Sequence, residues 1–284
     1  MMHSSAYLTD IDALAELVHF VNHHPRLFVL TGAGCSTASG IPDYRDANGE
    51  WKHRRPVQYQ DFLNRASVRK RYWARSLLGW KRIAEAQPNP AHYALARLEA
   101  AGFIHQLVTQ NVDGLHQKAG SRRVINLHGQ LATLDCLDCG QRAWRADFQQ
   151  TLEAQNPDFQ HFAVTSTPDG DADLEGVDFS RFQIPVCSRC NGIVKPSVVF
   201  FGESVPRPRV ERACARLQEA DALLVVGSSL TVFSGYRFCR LATEQRKPIA
   251  AINLGRTRAD AELTLKIPAP CGETLSYLAE HLGT

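Results

Sequence analysis

The chain has 284 residues, enough for one large domain or for one domain carrying a smaller insertion. Hydrophobic residues make up 44% and charged residues 21%, an ordinary balance for a globular protein, and a net charge of +3 with a pI near 8.4 is too mild to mark a nucleic-acid binder. No apolar run approaches the length of about 18 residues needed to span a bilayer. The opening MMHSSAYLTDIDALAEL has neither the layout of a secretory signal nor the arginine of a mitochondrial presequence, so a cytoplasmic location is expected.

The spacing of Ile11, Leu14, Leu17, Val18 and Val21 predicts a helix over 9–23, with Thr9 as its cap. The apolar run ending at Leu30 predicts a buried strand. Thr31 to Arg45 follows, reading TGAGCSTASGIPDYR, and the chain is organised around it. Gly32, Ala33 and Gly34 form a turn of small residues, which lets backbone N–H groups approach a phosphate closely. As a dinucleotide fingerprint it is incomplete. Thr37 stands at the third glycine position, and the acid expected about 20 residues on is missing. Pro42 fixes its own φ and keeps Ile41 out of helix. The loop therefore presents Asp43, Tyr44 and Arg45 in sequence, suitable for gripping a polar ligand.

Residues 50–82 are basic, with ten Lys or Arg against Glu50 and Asp61, and a solvated helical surface is the simplest account. Within it Tyr72 and Arg75 share a helix face and can hold a carboxylate between them. A second helix is expected from Pro88-Asn89-Pro90 to about Ala101, ended by Gly102, and then a strand over 103–109. Gln110-Asn111-Val112-Asp113-Gly114-Leu115-His116 stands at that strand's carboxyl end, where an open α/β sheet places its ligands. Asn111 supplies both a donor and an acceptor, and Asp113 accepts from an amide or a ribose hydroxyl. Capping of the next helix is the competing use of these residues. A third strand, 124–127, ends at His128, whose ordinary pKa suits a general base.

Of eight cysteines, four form two Cys-x-x-Cys pairs, Cys136 with Cys139 and Cys187 with Cys190. Two such knuckles deliver four thiolates to one tetrahedral zinc, and a filled shell makes that zinc structural. The acidic run 169–178 fails the calcium-loop template at Leu174 and Ser180, leaving a solvated acidic loop. After the second knuckle, Lys195-Pro196-Ser197-Val198-Val199-Phe200-Phe201-Gly202-Glu203 is either a core strand or an edge that pairs with a peptide. A helix over 210–220, strands over 222–226 and 249–252, an edge strand over 263–267 and a last helix opened by Cys271 complete the pattern.

Together GAGCSTASGIPDYR, QNVDGLH, His128-Gly129, the two cysteine pairs, KPSVVFFGE, VVGSSLTV and INLG resemble the sirtuins, NAD-dependent protein deacylases, in the family's order over residues 32–255. The knuckle spacing, YWAR at 72–75 and PNPAH at 88–92 look most like the class II branch, which includes a mitochondrial member described as an ADP-ribosyltransferase and lipoamidase. The resemblance implies an α/β fold, a Rossmann-like parallel-sheet domain with an inserted smaller zinc-binding and helical domain. Residues 1–48, 91–132 and 197–284 would form the Rossmann-like domain. Residues 49–90 would form the helical insertion and 133–196 the zinc-binding one.

It further implies that Gly32, Ala33, Gly34 and Ser36 cradle the NAD pyrophosphate and that Asp43, Tyr44 and Arg45 form a mobile cofactor loop. Gln110, Asn111, Val112 and Asp113 would hold nicotinamide and its ribose. Gly227, Ser228, Ser229, Asn253, Leu254, Gly255 and Cys271 would contact the adenosine half. His128 would accept a proton from the ribose hydroxyls, with Asn111 placing the ribose and water. Val199, Phe200, Phe201 and Gly202 would hold the acyl-lysine substrate, and Tyr72 and Arg75 match a carboxylate-binding Tyr-x-x-Arg. The implied reaction moves the acyl group of a protein lysine to ADP-ribose and releases nicotinamide. It needs NAD and one structural zinc, with no membrane or specific nucleic-acid partner. Mono-ADP-ribosylation or lipoamide removal at the same site is the alternative, and an NAD sensor without catalysis is disfavoured because His128, Asn111 and Asp113 are all present.

Overall fold

The computed structural model describes residues 11–44, 56–159, 165–166, 172–173 and 177–284. Chain order begins with α1 (Ile11–His23) and β1 (Leu27–Thr31), then the glycine-rich turn, α2 (Tyr59–Asn64), α3 (Ala66–Glu85) and α4 (Pro90–Ala100). It continues through β2 (Ile104–Thr109), a single turn α5 (Leu115–Lys118), β3 (Val124–Asn126), β4 (Gly129–Cys136), β5 (Arg142–Trp144) and α6 (Arg145–Gln155). The short pair β6 (Thr165–Ser166) and β7 (Ala172–Asp173) precedes β8 (Val194–Val198). The last part holds α7 (Arg207–Glu219), β9 (Ala222–Val226), α8 (Phe233–Glu244), β10 (Ile249–Ile252), β11 (Leu265–Ile267) and α9 (Cys271–His281).

The large sheet has six parallel strands in the order β3-β2-β1-β9-β10-β11. Numbered by use, that is 3-2-1-4-5-6, the doubly wound order. Strand β1 sits at its centre and is buried along its whole length. Its alternate residues serve opposite layers. Leu27 and Val29 pack with Leu17, Leu95 and Leu278 from α1, α4 and α9. Phe28 and Leu30 pack with Leu217 and Phe238 from α7 and α8. Each such side chain contributes about 1.5–3 kcal/mol relative to exposure, which is why a run without polar alternation forms a central strand. The helices are set by local chemistry. Asn89 caps α4, its Oδ1 accepting from Ala91 N–H at 2.9 Å, with Pro90 at the first helical position.

A smaller antiparallel sheet, β5-β4-β8, packs with α2, α3 and α6 around Phe62, Trp73, Leu134, Phe148 and Leu152. The guanidinium of buried Arg145 lies over the rings of Trp73 and Trp80, at 5.5 and 5.0 Å, and ties α3 to α6. The basic segment is mostly surface as expected: Arg65, Arg71, Lys81 and Arg82 are exposed, and Arg69 donates to the Phe62 and Leu63 carbonyls at the end of α2. Predicted Thr9, Arg45 and Glu50, and all of the acidic run except 172–173 and 177–178, lie outside the described residues. The two sheets meet at Gly129, which has φ +86°; a Cβ there would sit 1.9 Å from the Ser197 carbonyl oxygen. Only glycine lets β8 run this close, and the His128 carbonyl then accepts from Val199 N–H at 2.8 Å.

Candidate functional site

A cavity of about 1120 Å³ opens at the carboxyl ends of β1 and β9, where the strand order reverses direction and where ligands of doubly wound sheets bind. The turns after the two strands interlock backbone to backbone. A Cβ on Gly32 would meet Ser228 Cβ at 2.7 Å, one on Gly34 would meet the Gly227 oxygen at 3.0 Å, and one on Gly227 would meet Cys35 N at 2.4 Å. Gly32 N–H donates to the Val226 carbonyl and Gly34 N–H to the Gly227 carbonyl; Cys35 and Ser36 donate back to Gly32 and Ala33. The glycines therefore bind the two turns together. Among the described residues, Ala33 N–H is the one amide of the Gly32–Ser36 turn that meets no acceptor, and it is the donor this turn offers a phosphate.

Two polar networks form the floor. In the first, Ser36 Oγ donates to Asp113 Oδ2 at 2.8 Å, and Asn111 Nδ2 donates to Ser36 Oγ and to the Gly32 carbonyl, each at 3.0 Å. Both Asn111 amide hydrogens are thereby occupied, so its carbonyl Oδ1 is what it offers a ligand. Asp113 Oδ1 also accepts from Leu115 N–H at 2.9 Å, so this residue caps α5 as well as bracing the turn. Burial raises the Asp113 pKa against the lowering effect of these two donors. In the second network, Gln110 Oε1 accepts from Ser228 Oγ at 2.6 Å, and the Gln110 backbone carbonyl receives His128 Nδ1–H at 2.9 Å.

A carbonyl only accepts, so His128 carries its hydrogen on Nδ1 and its lone pair on Nε2. Nε2 faces the cavity and lies 2.7 Å from Ser234 Oγ. Burial, with smaller effects from the Arg209 and Arg237 guanidiniums, lowers the His128 pKa to about 4. The ring is neutral at pH 7, with a basic nitrogen aimed at the space above the strands.

Of the other predicted residues, Asp43, Tyr44, Val112, Ser229, Asn253, Leu254, Gly255 and Cys271 all line the cavity. Burial pushes the Cys271 thiol up to about 12, so it is a neutral wall. Val199, Phe200, Phe201 and Gly202 line the opposite side, where Phe201 bridges to Gln58 and stacks edge-on against Tyr44 at 5.9 Å. Strand β8, just before them, is the edge of the small sheet, which joins the two readings of this segment. Tyr72 lines the cavity but Arg75 does not, although both lie on α3. Sequence reasoning missed Ser234 and Arg237, both on the cavity wall from α8. Polar residues five and eight positions beyond Ser229 were the available signal.

The four paired cysteines converge. Cys136 and Cys190 sulfurs are 3.5 Å apart, Cys139 and Cys187 sulfurs 3.7 Å, and all four fall within 4.8 Å of one another. Zinc–sulfur bonds of about 2.3 Å require separations of about 3.8 Å, so the donor set fits a tetrahedral zinc with no open position. The backbone N–H of Cys139, ahead of other donors, lowers the Cys136 pKa to about 7 and favours the ligating thiolate. Cys35, His92 and His116 also lie within 4.8 Å, but their donors are differently committed. His92 Nδ1 accepts from Asn89 N–H, which puts its hydrogen on Nε2. His116 Nε2 donates to Thr31 Oγ1 at 2.9 Å, leaving Nδ1 unpartnered. Two free donors do not make a metal shell, and this cluster is packing beneath the turn.

The Sir2 family model matches residues 32–234. A protein named NAD-dependent protein deacetylase from Bordetella bronchiseptica is 57% identical over 269 residues, covering 95% of this chain and 97% of that one. The NAD-dependent protein lipoamidase sirtuin-4, mitochondrial, of Bos taurus is 48% identical over 272 residues, covering 95% and 86%. Among solved structures, one described as Sir2-p53 peptide-NAD+ superposes with a TM-score of 0.78 at 30% identity, covering 95% of this chain and 98% of the other.

Proposed function

This chain belongs to the Sir2 family, the sirtuins, and from that membership we propose that it is an NAD-dependent protein lysine deacetylase, moving the acyl group to ADP-ribose and releasing nicotinamide. The observation that carries the reading is His128: a neutral imidazole, tautomer fixed by the Gln110 carbonyl, with Nε2 turned into a cavity at the strand ends. NAD supplies a C1′–nicotinamide bond with a ready leaving group. Ala33 N–H and the Ser36–Asn111–Asp113 network would hold it at the phosphate and ribose end, and Asn253, Leu254 and Gly255 at the other. His128 accepts a ribose hydroxyl proton at Nε2, which makes that oxygen nucleophilic toward the acyl carbon. The acyl-lysine would enter beside Val199–Gly202, the cavity-lining segment that follows β8, the last strand of the small sheet. The four-cysteine zinc holds the small sheet and takes no part in the chemistry. The same reading assigns 1–48, 91–132 and 197–284 to the NAD domain and 49–90 and 133–196 to its insertions. The same reading places the enzyme in the cytoplasm; the described residues contain no helix long and apolar enough to cross a membrane.

For the acyl group, the wall beside Tyr72 is apolar, with Val57, Ile83 and Phe200, and among the described residues of α3 no cation lines it. Acetyl and uncharged acyl groups fit this wall better than succinyl or glutaryl. The test gives purified protein NAD and acetyl-, succinyl-, glutaryl- and lipoyl-lysine peptides, and follows products by mass spectrometry. Nicotinamide and O-acyl-ADP-ribose are expected, with acetyl or lipoyl turned over at least about tenfold faster than succinyl, since an unpaired carboxylate on an apolar wall costs more than 1.4 kcal/mol. Nicotinamide release with ADP-ribose on protein, and no acyl loss, would replace the deacetylase reading with the transferase one.

A further inference from the structure

The basic nitrogen of His128 already has a partner. Because Nδ1 carries the hydrogen, the 2.7 Å contact between Nε2 and Ser234 Oγ is a hydroxyl donating to the lone pair that the reaction uses. Ser234 stands in the first turn of α8, whose N-cap, Val232, has no side-chain capping bond. That turn is held against the same residue that fixes the other side of the ring. A Cβ on the neighbouring Gly235 would lie 2.6 Å from Gln110 Nε2, so α8 docks on Gln110 while the Gln110 carbonyl holds His128 Nδ1–H. The imidazole is thus clamped between one carbonyl and one hydroxyl on two different elements.

We propose that Ser234 is a positioning residue for the deacylation reaction. Its hydroxyl keeps Nε2 aimed into the cavity and, when a ribose hydroxyl arrives to donate there, yields the lone pair without leaving the edge of the ring. The inference rests on the deacetylase reading and adds a residue to it. Its consequence is selective for one stage. Exchange of nicotinamide for the acyl oxygen at C1′ breaks a C–N bond and forms a C–O bond with no proton transferred, and its reversal returns free nicotinamide to NAD. The following attack by a ribose oxygen requires His128 to take the proton. Ser234 therefore bears on the second stage and not on the first.

The test uses full-length zinc-loaded protein with NAD and the best acyl-lysine peptide. It compares S234A and S234T with wild type in deacylation and in incorporation of isotope-labelled nicotinamide into NAD. For S234A, deacylation kcat is expected to fall on the order of tenfold, while nicotinamide incorporation and the KM for NAD stay within about twofold. S234T, which keeps the hydroxyl, recovers most of the rate. Equal loss of both reactions, or unchanged deacylation, overturns the proposal. A second readout does not depend on turnover. In nitrogen-labelled protein, S234A is expected to move the His128 Nε2 resonance and leave Nδ1–H in place. An unmoved Nε2 resonance refutes the contact even if the enzyme deacylates. A wild type with the contact but no deacylation of any peptide refutes the functional reading instead.

Discussion

His128 shows how a residue ordinary in sequence is made specific by its neighbours. Burial and two guanidiniums hold its pKa near 4, so at neutral pH essentially every molecule has the unprotonated base. The Gln110 carbonyl then decides which nitrogen is basic. His128→Ala removes the proton acceptor and leaves one carbonyl without its donor. Deacylation is expected to fall by at least about 10²-fold, and stability by only about 1 kcal/mol. Parallel assays of turnover and thermal melting check this; retained turnover would remove His128 as the base. The placement of such residues was legible in the sequence, since Asn111, Asp113 and His128 all stand at strand ends and line the cavity. Which of their atoms face the cavity was not. Asn111 donates both amide hydrogens inward to Ser36 and Gly32, and those partners lie more than 70 positions away. No local pattern encodes that commitment.

At the scale of elements, the joint between the β1 and β9 turns is a tight constraint beside the cavity. Gly227 has φ +59°, and an added Cβ would stand 2.4 Å from Cys35 N and 2.6 Å from Gly34 C, both backbone atoms with nowhere to move. Gly40 has φ +79° with nothing within 4 Å. Both positions favour glycine, but only one is also full. Gly40→Ala should cost about 1 kcal/mol, the left-handed penalty alone. Gly227→Ala should cost at least about 3 kcal/mol and raise the KM for NAD several-fold, because separating the turns also displaces Ala33 N–H. Urea melts and NAD saturation curves of the two variants check this, and equal penalties would contradict the interlock. The same elements mark the limit of the sequence. Strands β1, β9 and β10 were legible because short unbroken apolar runs have few other uses in a doubly wound sheet; β2 was read as well, although His105 and Gln106 interrupt its apolar run. Helix α8 was not. Its buried face is Gly235, Phe238, Cys239 and Ala242, one large apolar side chain among small ones, with no capping side chain before them. With it went Ser234 and Arg237, two of the wall residues that sequence reasoning did not find.

The whole molecule carries an acid sensitivity that follows from where its histidines sit. Burial is the largest cause in each case: it lowers His92 and His128 to about 4, and lowers His116 well below its ordinary value. In the unfolded chain each titrates near 6.5. Between about pH 6.5 and 4 the unfolded state therefore binds more protons, so folding stability is complete above this window and declines as pH falls through it. Each histidine contributes a slope of up to about 1.4 kcal/mol per pH unit. Asp113 acts in the opposite sense, since burial raises its pKa and its neutral form favours the fold as pH falls toward its ordinary range. One carboxyl against three imidazoles leaves the histidines dominant. Zinc loss produces acid instability of the same sign, because protons compete for the four thiolates. The two are separable by location: the histidines lie under the large sheet's turn, the cysteines in the small sheet's cluster. Urea unfolding midpoints measured from about pH 7.5 to 5, with zinc content assayed in each sample, should fall steadily while zinc is still bound. A midpoint that stays level until zinc is released would mean that the buried imidazoles are not held neutral, and that the metal cluster alone sets the acid limit of the fold.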